Sequence, residues 1–144
     1  MKLADLLERT GLDVLDHLER QITVPVIDGL QAQGDLLVAP LALLPEVSAE
    51  SWARWQEVPS DGVELVRGIA GTNPHTLVAD PGTCHLATGV FDPQRLAIAL
   101  VENTAPVHLI HPEHGATGIA PGRWLIRRQR EYAATGHLTR LVAD

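Results

Sequence analysis

LIHPEHGATGIAPGRWLIRRQREY, residues 109–132, carries the pattern that decides the fold. It opens inside an apolar run, PVHLIH, bends at a Pro-Glu pair, crosses a Gly- and Pro-rich turn and enters a second run, RWLIRRQREY. In an extended chain, neighbouring side chains point to opposite faces. Val107, Leu109 and His111 therefore share one face, and His108 and Ile110 the other. In the second run Trp124, Ile126, Arg128, Arg130 and Tyr132 fall on one side, and Arg123, Leu125, Arg127, Gln129 and Glu131 on the other. Apolar residues lead and charges follow on both sides. The strand is expected to enter a core at 124–126 and to emerge into solvent or an interface by 128–132.

Working outward, the same texture begins near residue 22. ITVPVIDG, GDLLVAPLALL, VELVRGIAG, PHTLVAD, CHLATGVF and RLAIALV are short apolar runs broken by Asn-Pro, Asp-Pro-Gly, Asp-Pro and Ala-Pro-Gly. Connections this short suit hairpins and meanders rather than helical crossovers. Pro25 and Pro40 cannot donate to a ladder, which places them at edges, bulges or strand ends. SAESWARWQE reads as a short helix, with Ser48 able to cap and Trp52 and Trp55 on one face. KLADLLERTGLDVLDHLERQ is helical too, its leucines recurring at three- and four-residue steps. Gly11 costs roughly 1 kcal/mol inside a helix, so a break is expected there. The fold expected is mainly β: an antiparallel barrel or sandwich with an N-terminal helix and a short inserted helix. Residues 1–21 form the helical segment, a docking surface or a core cover, and 22–144 the β-rich domain.

Apolar content of 45% and a formal charge of −7 describe a soluble globular chain. Its longest apolar run, residues 36–45, is about half of the ~20 residues a membrane helix needs. Asp5, Glu8 and Arg9 interrupt any signal-peptide core, and the single Cys84 permits no intrachain disulfide. The expected compartment is the cytoplasm. Charge is uneven: residues 1–64 hold twelve acids and four bases, residues 65–144 six acids and seven bases. Such asymmetry can pair subunits head to tail. A net acidic chain with 3% aromatics is a poor nucleic-acid grip. None of the three serines stands in Gly-x-Ser-x-Gly, and Cys84 beside His85 on a strand puts the two on opposite faces.

Seven histidines raise metal binding. His75, Leu77 and Ala79 share a strand face, as Val107, Leu109 and His111 do. If both faces are interior, His75 and His111 stand at strand ends beside the core. His114 can fold back across the Pro-Glu turn to join them, with Glu113 the nearest carboxylate. The expected metal set is therefore His75, His111, His114 and Glu113, for a divalent ion such as Zn, Fe or Mn. The three-residue spacing is not the helical two-histidine arrangement of zinc peptidases, which needs four.

Three frames taken together, QGDLLVAPLALLPE (33–46), VELVRGIAGTNPHTLV (63–78) and the opening stretch, resemble a widespread group of small uncharacterised bacterial and phage proteins. The likeness covers roughly residues 30–144 and is sharpest at 111–132. It implies that Gln33, Gly34, Asp35, His75, His111, Glu113, His114 and the strand at 128–132 belong to one constellation. No activity is established for the group, so the resemblance implies a family and not a function. The chain departs at 71–76, where GTNPHT has one histidine in place of a pair, and a metal site built on that pair would be weakened.

The function expected is a non-enzymatic interaction or assembly module, self-associating or docking to a larger protein. Its contact residues are Leu3, Leu7 and Leu18 of the helix, Trp52 and Trp55, and Arg127, Arg128, Arg130 and Tyr132. The alternative is a metal-binding β-barrel, a hydrolase or oxygenase if an open coordination position holds water.

Overall fold

The structure, a computed structural model, describes residues 1–14, 20–65, 74–132 and 139–141, with side chains for all but 130–132 and 139–141. In chain order the elements are α1 (Leu3–Thr10), β1 (Val26–Ile27), β2 (Gln31–Gln33), β3 (Leu36–Pro40), a 3-10 turn (Leu41–Leu43), β4 (Ser48–Ala49), β5 (Gln56–Glu57), β6 (Val63–Glu64) and β7 (Thr76–Val78). There follow β8 (Cys84–Ala87), β9 (Val90–Phe91), β10 (Ala97–Asn103), β11 (Val107–His111), β12 (Gly115–Ile119), β13 (Gly122–Arg128), β14 (Arg130–Tyr132) and β15 (Thr139–Leu141).

Two principal sheets result. One runs β1-β12-β11-β7-β6 and the other β2-β3-β13-β10-β8-β5; β4 with β9 and β14 with β15 form two-stranded ladders. Among the described residues every strand pairing is antiparallel except that of β1 with β12. The mainly β, antiparallel reading holds. Neither sheet order returns to its first strand, so the barrel half of the expectation is not realised among the described residues.

Alternation sorts the core. Val107 and Leu109 of β11, Leu77 of β7, Val38 of β3, Val101 of β10 and Trp124 and Ile126 of β13 fall in one buried cluster drawn from both sheets. Leu125 and Leu100 face the opposite way and pack with Val47, Leu41, Leu44 and Val90. Residues 124–126 are buried and 127–129 half-buried, as the arginine strand's pattern implied. Pro40 ends β3 at a position that pairs with Trp124 but lies beyond the reach of β2, where its missing N–H is tolerated. Cys84 is fully buried, and burial pushes its thiol up to about 12, which removes it as a nucleophile at neutral pH.

Helix α1 stops where Gly11 adopts φ 70°, its N–H returning to Leu7 O. Leu3 and Leu6 are buried with Val14, Val24, Val78 and Ile110, and Leu7 packs at the margin. Burial of a leucine such as Leu6 contributes about 2 kcal/mol. Arg9 anchors the helix to the loop after β7 through Asp80 Oδ1 at 2.6 Å. Leu3, named among the contact residues, is 3% exposed and turned inward.

Two local readings are corrected. SAESWARWQE is not a helix: Ser48 and Ala49 pair with Phe91 and Val90, Glu50 N–H donates to Gly89 O, and Gln56 and Glu57 pair with Leu86 and His85. A ten-residue helix is marginal alone, and the strand edges of β8 and β9 capture its backbone instead. The inserted helix reduces to the single 3-10 turn at Leu41–Leu43. GATGI, read as part of a turn, is strand β12, held between β11 and β1.

Candidate functional site

The QGD stretch is a two-residue hairpin turn. Gln33 faces Leu36 across the β2–β3 ladder, and Gly34, at φ 56°, occupies the left-handed region that such turns require. From this corner Gln33 and Asp35 reach across to His75, which precedes β7 on the other sheet and is 2% exposed. Gln33 Oε1 lies 2.9 Å from His75 Nδ1, and Asp35 Oδ1 lies 3.0 Å from His75 Nε2. The glutamine cannot be turned end for end, because its Nε2 donates to Leu109 O at 2.8 Å. Its Oε1 is the acceptor, so His75 Nδ1 carries a proton. Asp35 thus meets the second ring nitrogen at hydrogen-bond distance, and His75 is held from both sides.

The imidazoles form a row. The ring centroids of His75 and His111 are 4.5 Å apart, and those of His111 and His114 are 4.6 Å apart. His111 is fully buried at the end of β11, and its Nδ1 accepts the Glu113 N–H at 3.1 Å. Glu113 and His114 are exposed at the far end of that bend. The rings are tilted against one another, by 42° between His75 and His111 and 36° between His111 and His114. Among the described residues no group of three His, Cys, Asp or Glu side chains is arranged to hold a metal ion. Both nitrogens of His75 face Gln33 and Asp35, and His111 Nδ1 accepts the Glu113 backbone N–H.

The arginine strand reaches the same centre through a residue that alternation did not single out. Gln129 Nε2 donates to Gly34 O at 2.9 Å and Leu36 O at 3.1 Å, and Gln129 N–H donates to Asp35 O at 3.0 Å. Gln129 thus clamps the turn that holds His75. Further amides tie the sheets together: Gln31 Nε2 donates to Gly118 O at 3.0 Å, and Asn103 Nδ2 to Ala120 O at 2.9 Å. The signal for them was present. In β2 the two glutamines are buried while Ala32 between them is exposed, an inversion of the usual polarity.

The contact residues are spread out. Trp52 is 70% exposed, Trp55 37%, and Arg127 donates to Gln94 Oε1 at 3.3 Å while half-buried. Arg128 is half-buried, and its N–H is held by Leu96 O. Arg130 and Tyr132 pair through their backbones with Leu141 and Thr139; Leu18 lies outside the described residues. Trp52 does not stand alone. Its ring lies over Gly89, where an added Cβ would come within 2.9 Å. Beyond Gly89, Val90 turns into the outer cluster and Phe91, 51% exposed, turns away; Leu43, 66% exposed, rides on the 3-10 turn above the same cluster.

His108, on the outward side of β11, is 8% exposed, and burial followed by the positive charges of the N-terminus and Arg9 lowers its pKa. Below 6.5 the unfolded chain takes up this proton while the folded chain resists it. Stability is therefore expected to be level above that value and to fall as pH drops beneath it. Urea melts between pH 7.5 and about 5 should show this slope, and His108→Gln should flatten it.

The molecule is a mainly β protein whose two principal sheets are tied by buried amides around a histidine row that runs from the buried His75 and His111 to the exposed His114. The chain belongs to the family described as a domain of unknown function, DUF8820, whose model matches residues 32–129. That span runs from the residue before Gln33 to Gln129, enclosing Gln33, Asp35, His75, His111 and Gln129, while α1, β1 and Gln31 lie outside it. No curated protein and no solved structure matches the chain.

Proposed function

We propose that the protein is a non-enzymatic assembly module that self-associates through exposed apolar side chains, Trp52 and Phe91 foremost. The observation that carries this reading is the exposure of large apolar side chains, Leu43, Trp52 and Phe91, each more than half open. Aromatic anchors of this kind dominate association energies. The uneven charge along the chain supports a head-to-tail contact between copies. On this reading the two principal sheets are the layers of a sandwich, since one core cluster draws on both, and the module works in the cytoplasm. Sedimentation velocity across a concentration series tests it. The chain is expected to associate, and Trp52→Ala to weaken that association by about 2 kcal/mol, roughly thirtyfold in dissociation constant. A monomer at every concentration, unaltered by Trp52→Ala and Phe91→Ala, would contradict it.

A second reading keeps the divalent metal expected at His75, His111, His114 and Glu113, and it rests on the closeness of the three imidazoles, whose ring centroids follow one another at 4.5 and 4.6 Å. Protein purified without an affinity tag should contain stoichiometric Zn, Fe or Mn and melt lower in EDTA. Metal-free protein with an unchanged melting point removes this reading and its hydrolase or oxygenase chemistry.

A further inference from the structure

A cavity of about 270 Å³ opens at the β5 edge of the six-stranded sheet, lined by Trp52, Arg54, Gln56, Leu86, Thr88 and Gly89. Gln56 of β5 is in register with Leu86 of β8, and Thr88 stands two residues further on, so alternation sets all three on one side of the strand pair. Leu86, 6% exposed, is the apolar floor. The Trp52 indole closes over Gly89, where a Cβ would hold it off. The polar lining is uncommitted: among the described residues the side chains of Arg54, Gln56 and Thr88 make no hydrogen bond or ion pair. Glu57, the acid next to Gln56, falls on the other side of β5, where its carboxylate accepts the Gly82 N–H.

We propose that this cavity binds a sugar acid, a single pyranose ring bearing a carboxylate. Each part of the lining selects one part of that ligand. The indole and Leu86 offer apolar surface to the C–H face of the ring, and tryptophan supplies such surface while keeping a polar edge. Arg54 offers a planar fork that meets a carboxylate through two parallel bonds, and no acid holds it now. Gln56 and Thr88 can each donate and accept, as sugar hydroxyls require. Simpler ligands leave part of the lining idle. A neutral sugar gives the guanidinium no anion, and an aryl acid gives the amide and the hydroxyl no partners. Size agrees, for the volume falls just below that of pockets for drug-sized ligands and suits one ring. The cavity shares Trp52 with the proposed association surface, so a bound sugar acid and a second copy compete for that indole. Binding itself does not depend on association.

Nitrogen-15 NMR on the full chain at low protein concentration tests the proposal, with sodium galacturonate and sodium glucuronate as probes, and galactose, sodium benzoate and sodium acetate as controls. Saturable shifts are expected at Trp52 Nε1–H and Gly89 N–H with a uronate, with galactose and benzoate on the order of tenfold weaker and acetate silent. Trp52→Ala should abolish uronate binding, and Arg54→Gln, at an exposed position, should bring it down to the level of galactose. If Trp52→Ala loses its fold by circular dichroism, Arg54→Gln still decides. Sedimentation of the same samples separates this site from association: uronate binding by a chain that stays monomeric keeps the site and removes the interface. No saturable shift with either uronate overturns the proposal. So does equal affinity for galacturonate and galactose, benzoate binding as tight as that of galacturonate, or a response that survives Arg54→Gln.

Discussion

Replacing Asp35 with alanine is expected to lower the unfolding free energy by about 3–4 kcal/mol, among the largest effects of any single polar substitution in this chain. The physical cause is asymmetry. His75 is 2% exposed and keeps its Nδ1 proton on Gln33, so losing Asp35 strands Nε2 where water cannot replace the lost partner. Asp35→Asn should cost only about 1 kcal/mol, because an amide can donate to a neutral Nε2 at the same distance. Urea unfolding of the two variants side by side checks both values. Equal losses for alanine and asparagine would mean that the carboxylate acts by its charge alone.

The second large effect falls on Gly118. A Cβ there would lie 2.8 Å from Val26 Cγ2 and 2.9 Å from the Pro25 carbonyl oxygen, and the latter contact is with backbone that cannot rotate away. Gly118 also donates its N–H to Pro25 O and accepts from Gln31. Gly118→Ala is therefore expected to destabilise the protein by about 2–3 kcal/mol and to lift β1 from β12. Hydrogen exchange should accelerate at residues 24–27 while β10 and β13 remain protected. Thr117→Ala, next along the same strand, should change stability by no more than about 0.5 kcal/mol. If Gly118→Ala is equally mild, the parallel pairing of β1 with β12 is looser than the structure has it.

Much of this architecture was legible in the residues. Period-two alternation in PVHLIH and PHTLVAD set His75 and His111 on core-facing sides, and the Pro and Gly punctuation marked antiparallel connections. What escaped had physical causes. GATGI carries two glycines, and its strand character comes from β11 and β1 on either side, not from its own propensity. SAESWARWQE has helix-forming residues, but partners on β8 and β9 outweigh them. The clamp was hidden for another reason. Gln31, Gln33, Asn103 and Gln129 act by donating amide protons to carbonyls far away in sequence, and such pairings leave no local pattern. The histidines drew notice as metal ligands, whereas His75 meets an amide and a carboxylate and His111 a backbone N–H.

The most direct test of the central claim, that the QGD turn holds a buried histidine as the hub of the two sheets, is the protonation of the His75 ring by nitrogen-15 NMR at neutral pH. A protonated Nδ1 whose proton exchanges slowly with water, and which loses that protection in Gln33→Leu, is the result expected. A ring with its proton on Nε2 alone, exchanging rapidly and indifferent to Gln33, would contradict the account.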